Sequence, residues 1–424
     1  MPHDTHVLSL LQTLNATTET LNRSALNQTD RRQLLQACDR LQRSLESPAD
    51  TTARLVFSAH QLMTLRLGID LKLFDAIDAQ VRPSPASAGS STSSSDLDRS
   101  FDVTAICEAL SHADPLLIQR IIRFLAAMDV VLEVDRDHFI STPLAAALVS
   151  SSPFSAAVIH NTHFTTVLSR LPEYFHSNGW KNPDDGFNGP FQFALGTKAH
   201  YFDFLGSTPY YGQAFDTVMS MSFRRRGRDW FEFFPVAERL SNLNDSETLL
   251  VDIGGGQGED LMKFHSRFPT LPGQLILQDL SSVIEGARKS KDLLSSGIKT
   301  EEYDFFETQP VRGARVYFMR TVLHDWPDKQ AVSILGRVRE AMGSESVLLI
   351  SETLLPDSGA LLPSVISDMQ MMGSFASLER TEDQWRSLLD ASGLRLVQVW
   401  LPDECDRKAQ SLAEQPALLE ARLK

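Results

Sequence analysis

Leu249-Leu250-Val251-Asp252-Ile253-Gly254-Gly255-Gly256-Gln257-Gly258-Glu259-Asp260 reads as a buried strand, a glycine turn and the start of a helix. Four apolar β-formers precede the turn, and Leu261, Met262 and Phe264 follow it at helical spacing. Glu259 and Asp260 suit a helix N-terminus, where a negative charge meets the positive end of the backbone dipole. Glycines let a backbone come close to a ligand, and parallel sheets bind ligands at the carboxyl ends of their strands. The spacing excludes two common ligands. A dinucleotide turn, G-x-G-x-x-G, would place its last glycine at position 259, which is Glu259, and a P-loop needs Gly-Lys-Ser/Thr where no lysine stands. The turn seats something other than a pyrophosphate.

Around this stretch, strand and helix patterns alternate. Strands are expected at 248–253, 274–279, 297–302, 315–320, 346–352, 394–400 and 417–422, with helices at 258–268, 281–290, 328–342 and 381–391. Such alternation specifies an α/β domain, doubly wound and Rossmann-like, over residues 246–424. The last two strands have no helix between them and should form an antiparallel hairpin at the sheet edge.

Upstream, residues 1–150 read as a helical region ending in a winged-helix pattern. Apolar residues recur at helical spacing in 6–45, with an expected break in the Asn/Thr-rich stretch Asn15–Asp30. A Ser/Pro-rich loop covers 83–99. Beyond it come a short helix from Thr104, a longer one with Asp114 as N-cap and Pro115 at its first position, and a hairpin around Asp135-Arg136-Asp137. A winged helix suggests DNA, but the groove-facing helix offers only Gln119, Arg120 and Arg123, and the chain carries a net charge of −14. A dimerisation module fits these charges better than a nucleic-acid reader. Residues 151–245 are helical and rich in aromatics, most of them core and a minority suited to a flat apolar substrate pocket. The run Phe223–Arg228 reads as a solvated turn.

Composition bounds the setting. The N-terminus lacks the basic-then-apolar order of a signal peptide, and no run of 18 apolar residues exists, so a cytoplasmic protein outside the membrane is expected. Three cysteines, Cys38, Cys107 and Cys405, share no metal-ligand spacing, and the histidines offer none either, so no metal site is expected. The glycosylation patterns at Asn15, Asn22 and Asn27 mean little without secretion.

Chemistry-bearing residues gather at successive strand ends. Asp279 ends the second strand, where a carboxylate conventionally binds ribose hydroxyls; the alternative is a helix N-cap before Leu280-Ser281. Asp304 and Phe305 follow the third strand and suit an adenine ring, and Arg320 ends the fourth, followed by Thr321-Val-Leu-His-Asp-Trp-Pro-Asp328.

Val251–Gly258, Gln278-Asp279-Leu280, Asp304-Phe305, Arg320–Asp328, Ser351-Glu-Thr-Leu-Leu-Pro356, Glu379-Arg380-Thr381 and Asp229–Val236 together resemble the small-molecule O-methyltransferases of the plant caffeate and flavonoid type, above all the fungal branch that decorates polyketides. The resemblance implies a homodimer, S-adenosylmethionine as cofactor, and a methyltransferase domain behind an N-terminal dimerisation domain. It implies that Gly254 approaches the methionine portion, Asp279 holds the ribose, Asp304 and Phe305 bracket the adenine, and Arg320 stands where plant members have lysine. It also implies that His324 is the general base, flanked by Glu352 and Glu379. Ser374–Leu378 replaces the Gly-Gly-Lys segment of plant members, so pocket shape does not transfer.

The chemistry needs these parts. A sulfonium already activates the methyl group, so the protein must align and deprotonate the acceptor. A phenol titrates near ~10 and histidine near ~6.5, so a placed histidine takes the proton as the bond forms, with carboxylates holding its tautomer. The expected acceptor is an aromatic hydroxyl of a secondary metabolite, in a pocket drawing on Phe164, Met219, Met369, Met372 and Phe375, with His160 and His163 facing it or packing. Two other readings stay open: an enzyme of this fold diverted to dehydration or pericyclic chemistry, and a non-catalytic winged-helix regulator.

Overall fold

The computed structural model describes residues 3–21, 26–81, 99–225, 228–240, 247–402 and 416–424. The Ser/Pro-rich loop up to residue 98, Asn22, Arg226-Gly227 of the arginine run and Cys405 lie outside them. The chain falls into two units, 1–62 and 63–424.

The first unit is helical, with helices at His3–Thr20, Gln28–Leu45 and Pro48–Val56, and a fourth, Ser58–Asp70, that runs on past its end. The expected break within Asn15–Asp30 is found, the first helix ending at Thr20 and the second starting at Gln28. The hydroxyls of Thr13, Thr17, Thr18 and Thr20 each donate to the carbonyl four residues back, so this stretch satisfies itself within the helix. Asn27 caps the second helix, its side chain accepting from Asp30 N–H.

In the second unit, strands β1 (Ser100–Asp102), β2 (Val131–Glu133) and β3 (His138–Ser141) form a three-stranded antiparallel sheet in the order β1-β3-β2. Against it stand helices Val103–Ala109 and Pro115–Ala127, the latter capped by Asp114 with Pro115 first, as the sequence requires. Helices Pro153–Ser177, Pro190–Leu195, Tyr201–Ser207 and Pro209–Arg225 follow.

The main sheet is built from β4 (Thr248–Ile253), β5 (Gln274–Asp279), β6 (Lys299–Glu302), β7 (Val316–Arg320), β8 (Val347–Leu355), β9 (Arg380–Thr381), β10 (Leu394–Trp400) and β11 (Pro416–Leu423). Its order is β10-β11-β8-β7-β4-β5-β6, with β9 paired to β8 off this path. The glycine-turn strand β4 is parallel to β5 on one side and β7 on the other. The strand order reverses there, opening a crevice at the carboxyl ends. Along β7, Tyr317 and Met319 join one core layer while Val316 and Phe318 join the other, so a continuous apolar run serves both faces. Trp230 stacks on Phe264 at 5.4 Å and meets Phe318 at 5.1 Å, which explains the aromatic stretch preceding the first strand.

The structure bears out the edge hairpin and corrects the sequence in two other places. The last two strands pair antiparallel at the sheet edge, with β10 outermost and β11 between β10 and β8. Ala417, Leu418, Leu419 and Ala421 are fully buried, too apolar on both faces for an edge. The segment expected as helix 281–290 is Ser281–Ala287 followed by a separate turn of helix, Lys291–Ser295. A helix not expected at all, Leu362–Phe375, links β8 to β9. It runs close to Pro153–Ser177: a Cβ at Gly373 would stand 2.5 Å from Cζ of Phe164. Among the described residues no helix is long and apolar enough to cross a membrane.

The interior position of β11 is tested by Leu419→Ala. The lost methyls and residual cavity should lower unfolding free energy by about 3 kcal/mol in denaturant titration, whereas an edge strand would register well under half of that.

Candidate active site

The three glycines after β4 have different reasons to be glycine. Gly254 has φ +72°, and a Cβ there would meet Val322 at 2.8 Å; at Gly255 it would meet Leu277 and the Asp252 carboxylate within 2.6 Å. Packing accounts for both. At Gly256, φ +59°, a Cβ would meet no atom within 4 Å. The N–H of Gly256 donates to Asp279 Oδ2 at 2.9 Å, and Leu280 N–H donates to Oδ1 at 2.7 Å. Asp279 is thus not the cap of the next helix, whose N-cap is Leu280. Its carboxylate turns to the glycine turn and keeps lone pairs on both oxygens for further donors. Burial raises its pKa, against the two backbone N–H groups that favour the charge.

Past β7 the chain turns sharply. Thr321 takes φ +46°, a conformation a β-branched residue rarely adopts, and its N–H donates to Ser351 O at 3.1 Å. The short turn Leu323–Asp325 follows and carries His324. Beneath it Glu352, on the neighbouring β8, is 1 % exposed and accepts through one oxygen from three successive N–H groups: Val322 at 3.1 Å, Leu323 at 3.0 Å and His324 at 3.3 Å. The His324 ring stands between carboxylates. Nδ1 is 3.2 Å from Glu379 Oε1 and 4.0 Å from Glu352 Oε2, and Nε2 is 3.6 Å from Asp325 Oδ1. Ser367, on the unexpected helix, donates to the same Glu379 oxygen at 2.9 Å.

Electrostatics follow from that crowding. Burial works against a charged imidazole, but Glu352, Asp325 and Glu379 outweigh it and hold His324 well above the usual histidine range. Burial pushes Glu352 up and Asp325 up to about 7, even though the His324 cation pulls both down. Glu379 ends below the ordinary value: burial raises it, yet the hydrogen bond and charge of His324 prevail.

The expected base and both its carboxylates are therefore brought together. Arg320 is also close, its Nη1 3.2 Å from Asp260 Oδ1 at the start of the helix after the glycine turn. Phe305 packs edge-on to Trp326 at 5.9 Å. Asp304 is exposed, and its Oδ1 accepts from Phe306 N–H at 3.0 Å, so its carboxylate shapes its own turn. Of the expected pocket residues, Phe164 and Phe375 are buried core, while Met219 and Met369 are 42 % and 43 % exposed. His160 packs on Phe215, and His163 stacks on Tyr211. Among the described residues no cluster of three His, Cys, Asp or Glu side chains is arranged for a metal.

The sequence did not single out Arg380. Fully buried, it donates from Nη1 to Leu323 O at 2.9 Å, from Nη2 to Trp326 O at 2.8 Å, and from Nε and Nη2 to Asp328 Oδ1 at 3.0 and 2.8 Å. One planar guanidinium thus clips both ends of the turn that carries His324. The available signal was an arginine directly beside the carboxylate of Glu379. Asp325, 3.6 Å from His324 Nε2, and Asp260, at the Arg320 contact, were missed as well.

These observations predict two outcomes. Arg380→Met leaves two buried carbonyls unpaired and should cost about 3 kcal/mol in denaturant titration, with Arg380→Lys recovering only part. The raised His324 pKa contributes stability that is complete below the unfolded value near ~6.5 and is lost as pH rises through the folded one. His324→Gln should therefore flatten the decline in thermal midpoint above about pH 6.5; an identical decline in the variant contradicts the assignment.

Comparison with known proteins gives the lineage. Residues 190–395 match the O-methyltransferase domain family. The O-methyltransferase mfmE of Annulohypoxylon moriforme is 34% identical over 398 residues, covering 92% of either chain. Two solved structures superpose over nearly the whole length: OxaC in complex with SAH and oxaline (TM-score 0.77, 25% identity, 99% of this chain and 100% of the other) and a pericyclic reaction enzyme (TM-score 0.75, 26% identity, 99% and 100%). The chain belongs to the O-methyltransferase domain family, and is a methyltransferase that uses S-adenosylmethionine.

Proposed function

We propose that the protein methylates an aromatic, phenolic hydroxyl of a fungal-type secondary metabolite, with His324 as general base. The observation that carries this is the His324 ring held by Glu379 at Nδ1, which leaves Nε2 for the acceptor, one strand away from the glycine turn.

The residues present fit the cofactor. Gly256 has no side chain to obstruct a ligand, Asp279 retains acceptor capacity for ribose hydroxyls, Phe305 offers an aromatic edge to adenine, and Arg320 with Asp260 supplies opposite charges for an amino acid moiety. When bound, S-adenosylmethionine supplies an activated methyl group. The protein's own task is the proton: the acceptor hydroxyl donates to Nε2, the imidazolium forms against Glu379, and Glu352 keeps the turn from moving. Gly254 serves this site by letting Val322 pack beneath it. Asp304 acts on the adenine side by fixing the turn that presents Phe305.

The domain reading is a winged-helix dimerisation domain at 1–150, a helical substrate region at 151–245 and a catalytic domain at 246–424. A homodimer is supported by apolar side chains exposed on the N-terminal helices, among them Leu8 at 57 %, Leu11 at 50 % and Leu35 at 61 %.

A second reading, pericyclic or dehydrative chemistry in the same fold, is favoured by the likeness to a pericyclic reaction enzyme. Against it stands the complete His324, Glu352, Glu379 arrangement, which that chemistry does not require.

Labelled S-adenosylmethionine with a panel of phenolic metabolites distinguishes them: transfer yields labelled product and SAH in equal amounts, and product without either sinks the proposal. His324→Ala should lower kcat by about 10²–10⁴ with SAH affinity unchanged. Because the base must be neutral, kcat should climb with pH through values above about 6.5 in the wild type, and this limb should vanish in the variant.

A further inference from the structure

We propose that His200 and Tyr201 hold a second oxygen of the acceptor, making the substrate a flat, ring-bearing molecule oxygenated at two separated positions. This rests on the acceptor site described above and names the class of molecule it takes.

Buried polar groups in folded proteins nearly always have hydrogen-bond partners, and those without one call for an explanation, such as an enclosed water or a ligand. Next to the base, two consecutive residues break the rule. His200 is 5 % exposed and Tyr201 2 %, yet neither His200 Nε2 nor the Tyr201 hydroxyl has a hydrogen-bond partner among the described residues. The His200 tautomer is fixed. As N-cap of the helix Tyr201–Ser207, its Nδ1 accepts from Phe202 N–H at 3.4 Å. Burial keeps the ring neutral, drawing its pKa down to about 4, so its single proton sits on Nε2. That nitrogen is a donor with nothing to donate to. The surrounding rings, Phe187, Phe202 and Phe375, are weak acceptors at best and do nothing for the tyrosine hydroxyl.

The location ties the pair to the reaction. His200 stacks on Trp326 at 4.7 Å and 8°, and Trp326 lies two residues beyond His324. Phe375 touches both residues, at 5.7 Å from His200 and 5.2 Å from Tyr201. Two residues after Phe375, the Ser377 hydroxyl donates to the His324 carbonyl. The layer of rings that encloses the two orphan groups is thus continuous with the turn that carries His324. Its rings call for a flat apolar ligand, and the two polar atoms call for an oxygen that accepts from His200 and exchanges a hydrogen bond with Tyr201.

The test uses the full chain saturated with SAH and two probes, 2-naphthol and 2,6-dihydroxynaphthalene, titrated calorimetrically. The wild type should prefer the diol about tenfold, the scale of one satisfied hydrogen bond. His200→Phe and Tyr201→Phe should each reduce that preference while leaving 2-naphthol and SAH affinity unchanged, and His200→Gln, which retains an N–H donor, should restore part of it. Equal affinity for the two probes in the wild type, binding of neither, or an undiminished preference in both phenylalanine variants overturns the inference. SAH release from S-adenosylmethionine is measured with the diol in parallel. A preference for the diol without release would defeat the transfer reaction and leave the second-oxygen site standing.

Discussion

One carboxylate oxygen, Oε1 of Glu352, accepts three consecutive backbone N–H groups, and the geometry of the site depends on it. Those groups stand at the N-terminal end of a single 3-10 turn, which offers them no backbone acceptor, so without the carboxylate they would be buried orphans. A charge-assisted acceptor is about twice as strong as a neutral one, and it also defines a point to which the turn must return. The unusual backbone at Thr321 becomes tolerable because that point is fixed. Glu352 can be fixed because β8 lies parallel to β7 with Arg320 opposite Ser351, placing the carboxylate one residue beyond the end of its neighbour.

Arg380 completes the frame from the opposite side. The turn's N–H groups go to an anion and its carbonyls at Leu323 and Trp326 go to a cation, so the backbone between them has its polar groups met in both directions. His324 is the side chain displayed by this doubly held backbone. The carboxylates near it then favour the imidazolium, which is the form the ring takes after accepting a proton. In the proposed reaction, stabilising the product of proton transfer and presenting a rigid acceptor would be two effects of one arrangement.

What was legible in the sequence was local. Gly254–Gly258, Asp279 and the His324 segment each announce themselves within a few residues, because a turn's backbone demands and a strand's apolar run are short-range constraints. Glu352 and Glu379 were found through resemblance to a family rather than spacing. Three features were not legible. The order of β10 and β11 depends on which strand edge is the more apolar once the sheet exists, and the helix Leu362–Phe375 lacks the polar contrast of a surface helix, since Leu362, Val365, Ile366 and Met369 are exposed although apolar and only its last turn is buried. Arg380 looks like any charged residue until the carbonyls it meets, more than fifty positions earlier, are brought to it. His200 and Tyr201 are in the same position, since an unmet hydrogen-bonding atom is a property of the folded interior alone.

The place of β11 has a temporal side. In the folded protein Glu352 lies opposite Ala417 in the β8–β11 ladder. Translation makes residues 416–423 after every other strand of the sheet, so during synthesis β8 presents an open edge on that flank and the carboxylate beneath His324 lies on an unfinished strand. Domains fold as units once their chain is available. Completion of the ladder on that flank of β8 is thereby deferred until residues 416–423 have been made.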